Sequence, residues 1–166
     1  MSGASFQVSV DDARVRSALM MLVAMGSDPS PVMQDIATYG ENSTKARFDS
    51  ETGPDGKKWK QSLRAKLTGG KTLTAKGHLR DSITSESGRD WAQWGSNKVY
   101  ARIQQLGGTI KPKTSGKLRF MLANGAWRTV SQVTLPPRPY LGISHEDEVQ
   151  ILALIRGRLG ASAYAG

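Results

Sequence analysis

The sequence predicts an α+β fold, an antiparallel sheet with a hairpin packed by two N-terminal helices and a C-terminal helix. Three observations predict it. Apolar residues recur at spacings of three and four near both ends of the chain, the period of an amphipathic helix. Across the middle, from about residue 82 to 135, apolar and polar residues tend to alternate, the period of a half-buried strand. Asn124-Gly125 lies between two alternating stretches and is a strong hairpin turn signal, because both residue types accept positive φ. The chain has 166 residues, enough for one domain, expected over residues 1–160 with a flexible tail at 161–166.

Phe6-Gln7-Val8-Ser9-Val10 alternates and predicts a first strand. Asp11 or Asp12 then offers a carboxylate cap for a helix carrying Val15, Ala18, Leu19, Leu22 and Val23 on one stripe, ended by Gly26. Ser30 as cap and Pro31 at the first position restart a helix that runs to about Phe48, with Met33, Ile36, Ala37, Gly40 and Thr44 on its inner face. The two helices are expected to form an antiparallel pair, with Gly40 marking a close helix contact. A short helix is predicted over Trp59 to Leu67, with a flexible Gly69-Gly70 behind it. Two strands, Ser82 to Glu86 and Trp91 to Trp94, should turn at Ser87-Gly88. Val99 to Leu106 reads as a short helix closed by Gly107-Gly108, with Tyr100, Ile103 and Leu106 as its core face. Thr109 to Lys111, Lys117 to Leu122 and Trp127 to Leu135 alternate as strands. Ser144 with Asp147 three residues on forms a capping box, and Val149, Leu152, Ile155 and Leu159 line the final helix.

Composition narrows the function. There is no cysteine, so neither a disulfide nor a thiolate metal site holds the fold. The longest apolar run, Ala18 to Met25, is too short to cross a bilayer, and the N-terminus lacks a signal-peptide pattern. A soluble chain without membrane contact is expected. The net charge of +9 is unevenly spread. Residues 1–55 hold eight acids and four bases, residues 56–80 eight bases and no acid, and residues 102–144 seven bases and no acid. Such a split suits contact between copies of the chain, or a basic face toward nucleic acid, as well as an ordinary solvated surface.

No catalytic or cofactor signature appears. Gly53 to Lys57 lacks the spacing of a phosphate-binding loop, and Gly116-Lys117 is followed by Leu118 rather than a hydroxyl residue. His78 and His145 are the only histidines and stand apart, so no zinc ligand set is readable. No nucleophile elbow is present. The chain therefore reads as a non-enzyme without metal or cofactor. Pro54-Asp55-Gly56 is a tight turn, and the following Lys57-Lys58-Trp59-Lys60 interleaves bases with an aromatic. Core packing is the ordinary use of Trp59. The functional alternative is a DNA-facing surface of Lys57, Lys58, Lys60, Arg64 and Lys66. Pro136-Pro137-Arg138-Pro139 is stiff and extended, and leaves Arg138 as a candidate for a buried or intersubunit ion pair.

Four segments stand in a fixed order: Pro54-Asp55-Gly56-Lys57-Lys58-Trp59, Gly77-His78-Leu79-Arg80-Asp81-Ser82-Ile83, Gly95-Ser96 with Tyr100-Ala101, and Arg138-Pro139-Tyr140-Leu141-Gly142. In that order they resemble the tailed-phage virion morphogenesis family, the tail-completion proteins of Mu-like phages. The resemblance covers about residues 30–158. One departure is Gln104-Gln105, where the family shows His-Gln, so a role for that histidine does not carry over. The resemblance implies a structural subunit of a six-fold ring at the head–tail joint, as tail terminator or completion layer, built in the host cytoplasm and kept in the virion neck or tail. Its implied partners are further copies of itself, the tail tube protein and the head connector or stopper, with double-stranded DNA passing through the lumen. Trp59, Arg138, Tyr140, Asp11 and Asp12 are then the candidate intersubunit or neck contacts. A ring needs two different patches that meet, and the acidic first third and basic middle supply such a pair. The competing reading is a sequence-nonspecific nucleic-acid-binding protein using residues 56–80 and 102–138.

Overall fold

The computed structural model describes residues 13–24, 26 and 28–164, the last four as backbone only. The strand expected at Phe6 to Val10 and the caps expected from Asp11 and Asp12 lie outside the described residues. Helices occupy Ala13–Ala24 (α1), Ser30–Ser50 (α2), Leu63–Thr68 (α3), His78–Asp81 (α4), Ala101–Leu106 (α5) and His145–Tyr164 (α6). Strands are Ile83–Ser87 (β1), Ala92–Ser96 (β2), Gly108–Ile110 (β3), Leu118–Met121 (β4), Trp127–Val130 (β5) and Val133–Leu135 (β6). The fold is α+β, as the periodicities predict.

Among the described residues, three two-stranded antiparallel ribbons, β1–β2, β3–β6 and β4–β5, stand in place of the expected single sheet. The stretch from Trp127 to Leu135, read as one strand, divides because its two halves pair with different partners: Met121 with Trp127, but Gly108 with Leu135. The turn at Asn124-Gly125 is as predicted, with Gly125 at φ 82° and the Asn124 Oδ1 accepting from the Ala126 N–H at 3.1 Å.

Packing also departs from a simple helix pair. Both α1 and α2 pack on α6, and α2 lies across the β1–β2 ribbon. Leu22 of α1 is buried with Val32, Met33 and Ile36 of α2 and with Ile151 and Ile155 of α6. Val23 and Val149, each assigned to a core stripe by spacing, are exposed, and Ile151 takes the buried position on α6. Gly26 ends α1 in the left-handed region, at φ 73°. Ser30 does not cap α2. The helix begins at Ser30 itself, and the Asp28 carboxylate accepts from the Ser30 N–H (3.1 Å) and hydroxyl (2.7 Å). A two-residue reach suits aspartate, whose side chain mimics a backbone turn. At the other end Ser144 and Asp147 form the predicted box: the Ser144 N–H donates to Asp147 Oδ2 at 2.7 Å, and the Asp147 N–H donates to Ser144 Oγ at 3.1 Å. α3 starts at Leu63, later than expected, because Ser62 caps it by accepting from the Ala65 N–H.

A second cluster gathers Phe48, Trp59, Leu79, Ile83, Ala101, Tyr140 and Leu141. Trp94 of β2 packs against both clusters and so joins them. The close contact marked by Gly40 is with this indole, not with another helix: a Cβ on Gly40 would lie 2.4 Å from Trp94 Cδ2 and Cε2. Alanine gains about 1 kcal/mol of helix propensity over glycine. A bulky ring wedged between two cores resists displacement, and overpacking costs about 1–3 kcal/mol. Gly40→Ala is therefore expected to lower the melting temperature despite its better propensity. A melting temperature at or above that of the parent would show that Trp94 has room to move.

Candidate functional site

Residues 136–142 form neither helix nor strand, yet Arg138, Tyr140 and Leu141 are buried. Two prolines and a third at 139 remove donors and hold the chain extended. A buried stretch without a ladder partner must find its hydrogen bonds elsewhere, since an unpaired N–H or C=O costs about 1–3 kcal/mol. Here most come from three side chains, Gln105 on α5, Arg47 on α2 and Trp59 in the loop before α3. Gln105 of α5 accepts through Oε1 from the Tyr140 N–H (2.8 Å) and the Leu141 N–H (2.9 Å), and its Nε2 donates to the Leu141 carbonyl at 2.8 Å. Arg47 of α2 donates through Nη1 to the carbonyls of Tyr140 and Gly142, each at 2.9 Å. Trp59 Nε1 donates to the Pro139 carbonyl at 2.8 Å. The Arg138 N–H donates to the Gln104 carbonyl at 2.9 Å, and Arg138 Nε to the Lys60 carbonyl at 2.7 Å.

Three of the four segments singled out in the sequence meet directly at this clamp, and the fourth packs against it. The turn at Pro54-Asp55-Gly56 brings Trp59 back beside α2: Gly56 sits at φ 74°, and the Trp59 N–H donates to the Glu51 carbonyl at 2.8 Å. Phe48 then packs edge-on to Trp59 (centroids 5.4 Å apart) and against Tyr140 (5.3 Å). Tyr140 hydroxyl donates to the Ala101 carbonyl at 3.2 Å. The segment at Gly77 to Ile83 contributes Leu79 and Ile83 to the same cluster. Gly142 is required at the end of the stretch, because a Cβ there would lie 2.8 Å from Pro54 Cγ and φ is 142°.

Behind the clamp is a buried ion pair. Arg47 Nη2 donates to Asp147 Oδ2, both side chains being over nine-tenths buried. Asp147 Oδ1 also accepts from the hydroxyls of Tyr39 (3.1 Å) and Ser43, and Oδ2 from the Ser144 hydroxyl at 2.8 Å. Burial pushes the Asp147 carboxyl up, but the hydrogen bonds from Ser43 and Ser144 and the charge of Arg47 outweigh it, leaving the group below its usual value. Burial likewise raises the Tyr39 phenol to about 12, with Asp147 adding to the effect. An open groove of about 470 Å³ runs beside the pair, between α2 and the start of α6, with Asn42, Ala46, Pro54 and Glu146 among its walls. Of the groups lining it, Tyr39, Ser43, Arg47 and Ser144 all bond to Asp147.

Trp59, Arg138 and Tyr140, proposed from sequence as neck contacts, all lie inside the subunit, and their polar atoms named above are bonded within it. Arg138 has a carbonyl rather than a carboxylate for its partner. Asp11 and Asp12 lie outside the described residues. Of the five basic residues proposed to face DNA, Lys57, Lys58, Lys60 and Lys66 are exposed and Arg64 is half-buried. Three of them bind locally: Lys57 to Asp55 at 3.4 Å, Lys58 to the Ser50 carbonyl at 2.6 Å, and Arg64 to the Lys71 carbonyl. The core face expected for α5 is also reversed. Tyr100 and Leu106 are exposed, and Ala101 and Gln105 are buried. Sequence reasoning passed over Gln105 and Arg47, though both stand four and three residues beyond a buried position, Ala101 and Thr44.

Gln105→Leu keeps the side chain's bulk and strands two N–H groups and one carbonyl. The expected loss is about 3 kcal/mol or more of unfolding free energy in urea; a loss under about 1 kcal/mol would mean the stretch draws its stability elsewhere. Asp147 has a lower pKa folded than unfolded, so its contribution is complete above about pH 4 and disappears as pH falls through the folded value. Asp147→Asn should therefore be less stable than the parent at pH 7, with the difference shrinking steadily below pH 4 in parallel denaturation curves. A constant difference across that range would contradict the assignment.

The chain matches the model of the phage virion morphogenesis family over residues 10–160. It is 30% identical over 165 residues to the putative capsid assembly protein G of Escherichia phage Mu, covering 93% of this chain and 94% of that protein. It is 29% identical over 147 residues to the Mu-like prophage FluMu G protein 2 of Haemophilus influenzae, covering 88% and 90%. No solved structure gives a significant match. With the family model spanning nearly the whole chain, and the ordered segments meeting in one clamp and its core, the chain belongs to the phage virion morphogenesis family.

Proposed function

We propose that this chain is a non-enzymatic ring subunit of the phage head–tail joint, in a tail-terminator or tail-completion layer, through whose lumen double-stranded DNA passes. The observation that carries the reading is the full-length family match, taken with the use to which the matching residues are put. Trp59, Leu79, Ile83, Ala101, Tyr140 and Leu141 fill one core, and Gly142 closes the clamp that holds it. A fold whose recurrent residues fix backbone shape suits a part that works by presenting rigid faces. Its partners are further copies of itself, most simply six, with the tail tube on one side and the head connector or stopper on the other.

Charge supports the same arrangement. The basic surface over Lys57 to Lys66 is exposed and suits the lumen side, where passing phosphates are attracted without being sequence-read. The acid-rich first third and the acid-free stretches at residues 56–80 and 102–144 supply unlike charges of the kind a closed ring requires.

Light scattering of the purified chain, alone and with the cognate tail tube protein, tests the reading at low and moderate salt. A discrete ring, either alone or on the tail, is the expected result. A chain that stays monomeric beside its tail but binds duplex DNA, with affinity falling steeply with salt, would overturn it in favour of a nucleic-acid-binding role.

A further inference from the structure

Residues 111–132 carry the β4–β5 ribbon, and not one of them is buried. The two strands pack chiefly on each other. Opposed residues share a face, so the register sorts the ribbon's side chains into two sets. Leu118, Phe120 and Val130 fall on one face and are half-buried, with Arg128 exposed opposite Phe120. Arg119, Met121, Trp127 and Thr129 fall on the other, and all four are exposed. Lys117, also exposed, stands two residues ahead of Arg119, the spacing of that same outer face. The ribbon therefore keeps an apolar face partly covered and gives solvent a face of cations, a hydroxyl and an indole.

Charge decides what that outer face fits. Residues 111–132 hold five bases, Lys111, Lys113, Lys117, Arg119 and Arg128, and no acid. All five are exposed, and among the described residues no carboxylate pairs with any of them. Arg119 has the Trp127 ring for its contact, with the guanidinium 4.6 Å from the ring centroid. An arginine stacked on an indole keeps its N–H edge free, and that edge is the part that grips phosphate oxygens in pairs. The other basic surface is less available, since Lys57, Lys58 and Arg64 already bind within the subunit. Another copy is a poor answer to the ribbon's charge. In its first third Asp28, Asp35, Glu41, Asp49, Glu51 and Asp55 are each hydrogen-bonded or ion-paired internally. A phosphate backbone brings its charges unpaired. A two-stranded ribbon is also narrow enough to lie along the major groove of a duplex, where cations on its outer face meet the flanking phosphates.

We propose that the outer face of the β4–β5 ribbon grips the phosphate backbone of duplex DNA through Lys117 and Arg119, with Thr129 beside them, without reading the sequence. The proposal rests on the reading above that DNA passes through a ring of this chain, and it names the element that meets the DNA. Rings of the full-length chain, assembled with the tail tube protein, are titrated against a short fluorescent duplex over a range of salt. Lys117→Gln with Arg119→Gln is expected to lower the salt slope by about two, and the affinity about tenfold or more near physiological salt. Arg119→Lys keeps the charge and should keep the slope. Arg89→Gln with Arg156→Gln removes the same charge from exposed positions off the ribbon. That pair should change affinity by less than about twofold, because salt screens charges that make no contact. All variants should melt with the parent, since the substituted side chains are exposed. An equal loss in the off-ribbon pair, or an unchanged slope in the ribbon pair, would overturn the ribbon as the grip and leave the ring reading standing. Loss of ring assembly in the ribbon pair, read by light scattering, would overturn it in favour of a protein partner for this face. Parent rings that form but bind no duplex would overturn the grip alone. Absence of any ring from the parent chain would sink both.

Discussion

The fold depends on satisfying the backbone of a buried stretch that has no strand beside it. From Arg138 to Gly142 the chain passes through the core with three of its N–H groups and four of its carbonyls hydrogen-bonded. Helix and sheet satisfy such groups with other backbone, but Pro136, Pro137 and Pro139 leave this segment unsuited to a ladder. Side chains do most of the work instead, with only the Arg138 N–H bonded to a backbone carbonyl, that of Gln104. One amide, Gln105, meets three groups because it is donor and acceptor in a single planar unit. A guanidinium meets two carbonyls and a carboxylate because its donors fan out in a fixed plane. Lysine at 47 would supply neither geometry.

This choice has a cost that the surroundings offset. Desolvating Arg47 and Asp147 disfavours both charged forms, and the Arg47 pKa falls through burial. The pair persists because every exposed edge of the carboxylate is occupied by Tyr39, Ser43 and Ser144, and because Arg47 has two carbonyls beyond its ion partner. The network also does something that apolar packing does not. It fixes the start of α6, the end of α2 and the 136–142 stretch to one another through directional bonds. Sliding any of the three would break several at once, so the clamp sets orientation as well as stability.

Much of this was legible in the sequence where local chemistry decides. The box at Ser144 and Asp147, the turns at Gly56, Gly107 and Gly125, the end of α1 at Gly26 and the β1–β2 hairpin all follow from residues within a few positions of one another. What was not legible depended on tertiary partners. Nothing local between Trp127 and Leu135 breaks the alternation, yet the strand divides because Gly107 lies close against Leu135 and Pro137, and Gly108 pairs with Leu135 in a second ribbon. On α5 the apolar residues looked like the core face, but the buried position went to Gln105 because three backbone groups needed it more than the core needed Leu106. Trp59, for which core packing was the ordinary reading, and Tyr140 are both buried. Their segments carry the family resemblance, and in the structure their rings and polar atoms hold one subunit together.

That division bears on how such a protein assembles. The buried residues of the ordered motifs serve the subunit's own core, so most of the large apolar side chains left on the surface lie outside those motifs. Met20 and Met21 on α1 and Met121 and Trp127 on the ribbon are exposed outside them, while Val99 and Tyr100 are exposed within the third. The rigid clamp then fixes where each exposed element leaves the body, since β3 and β6, which lead into the ribbon and out of it, are tied directly to the stretch at 136–142. A small displacement at Gln105 would be magnified at the ribbon tip by the length of the arm. An arm without such a bonded base would be free to move against the body, and ordering it in any contact would cost conformational entropy that the clamp here removes in advance.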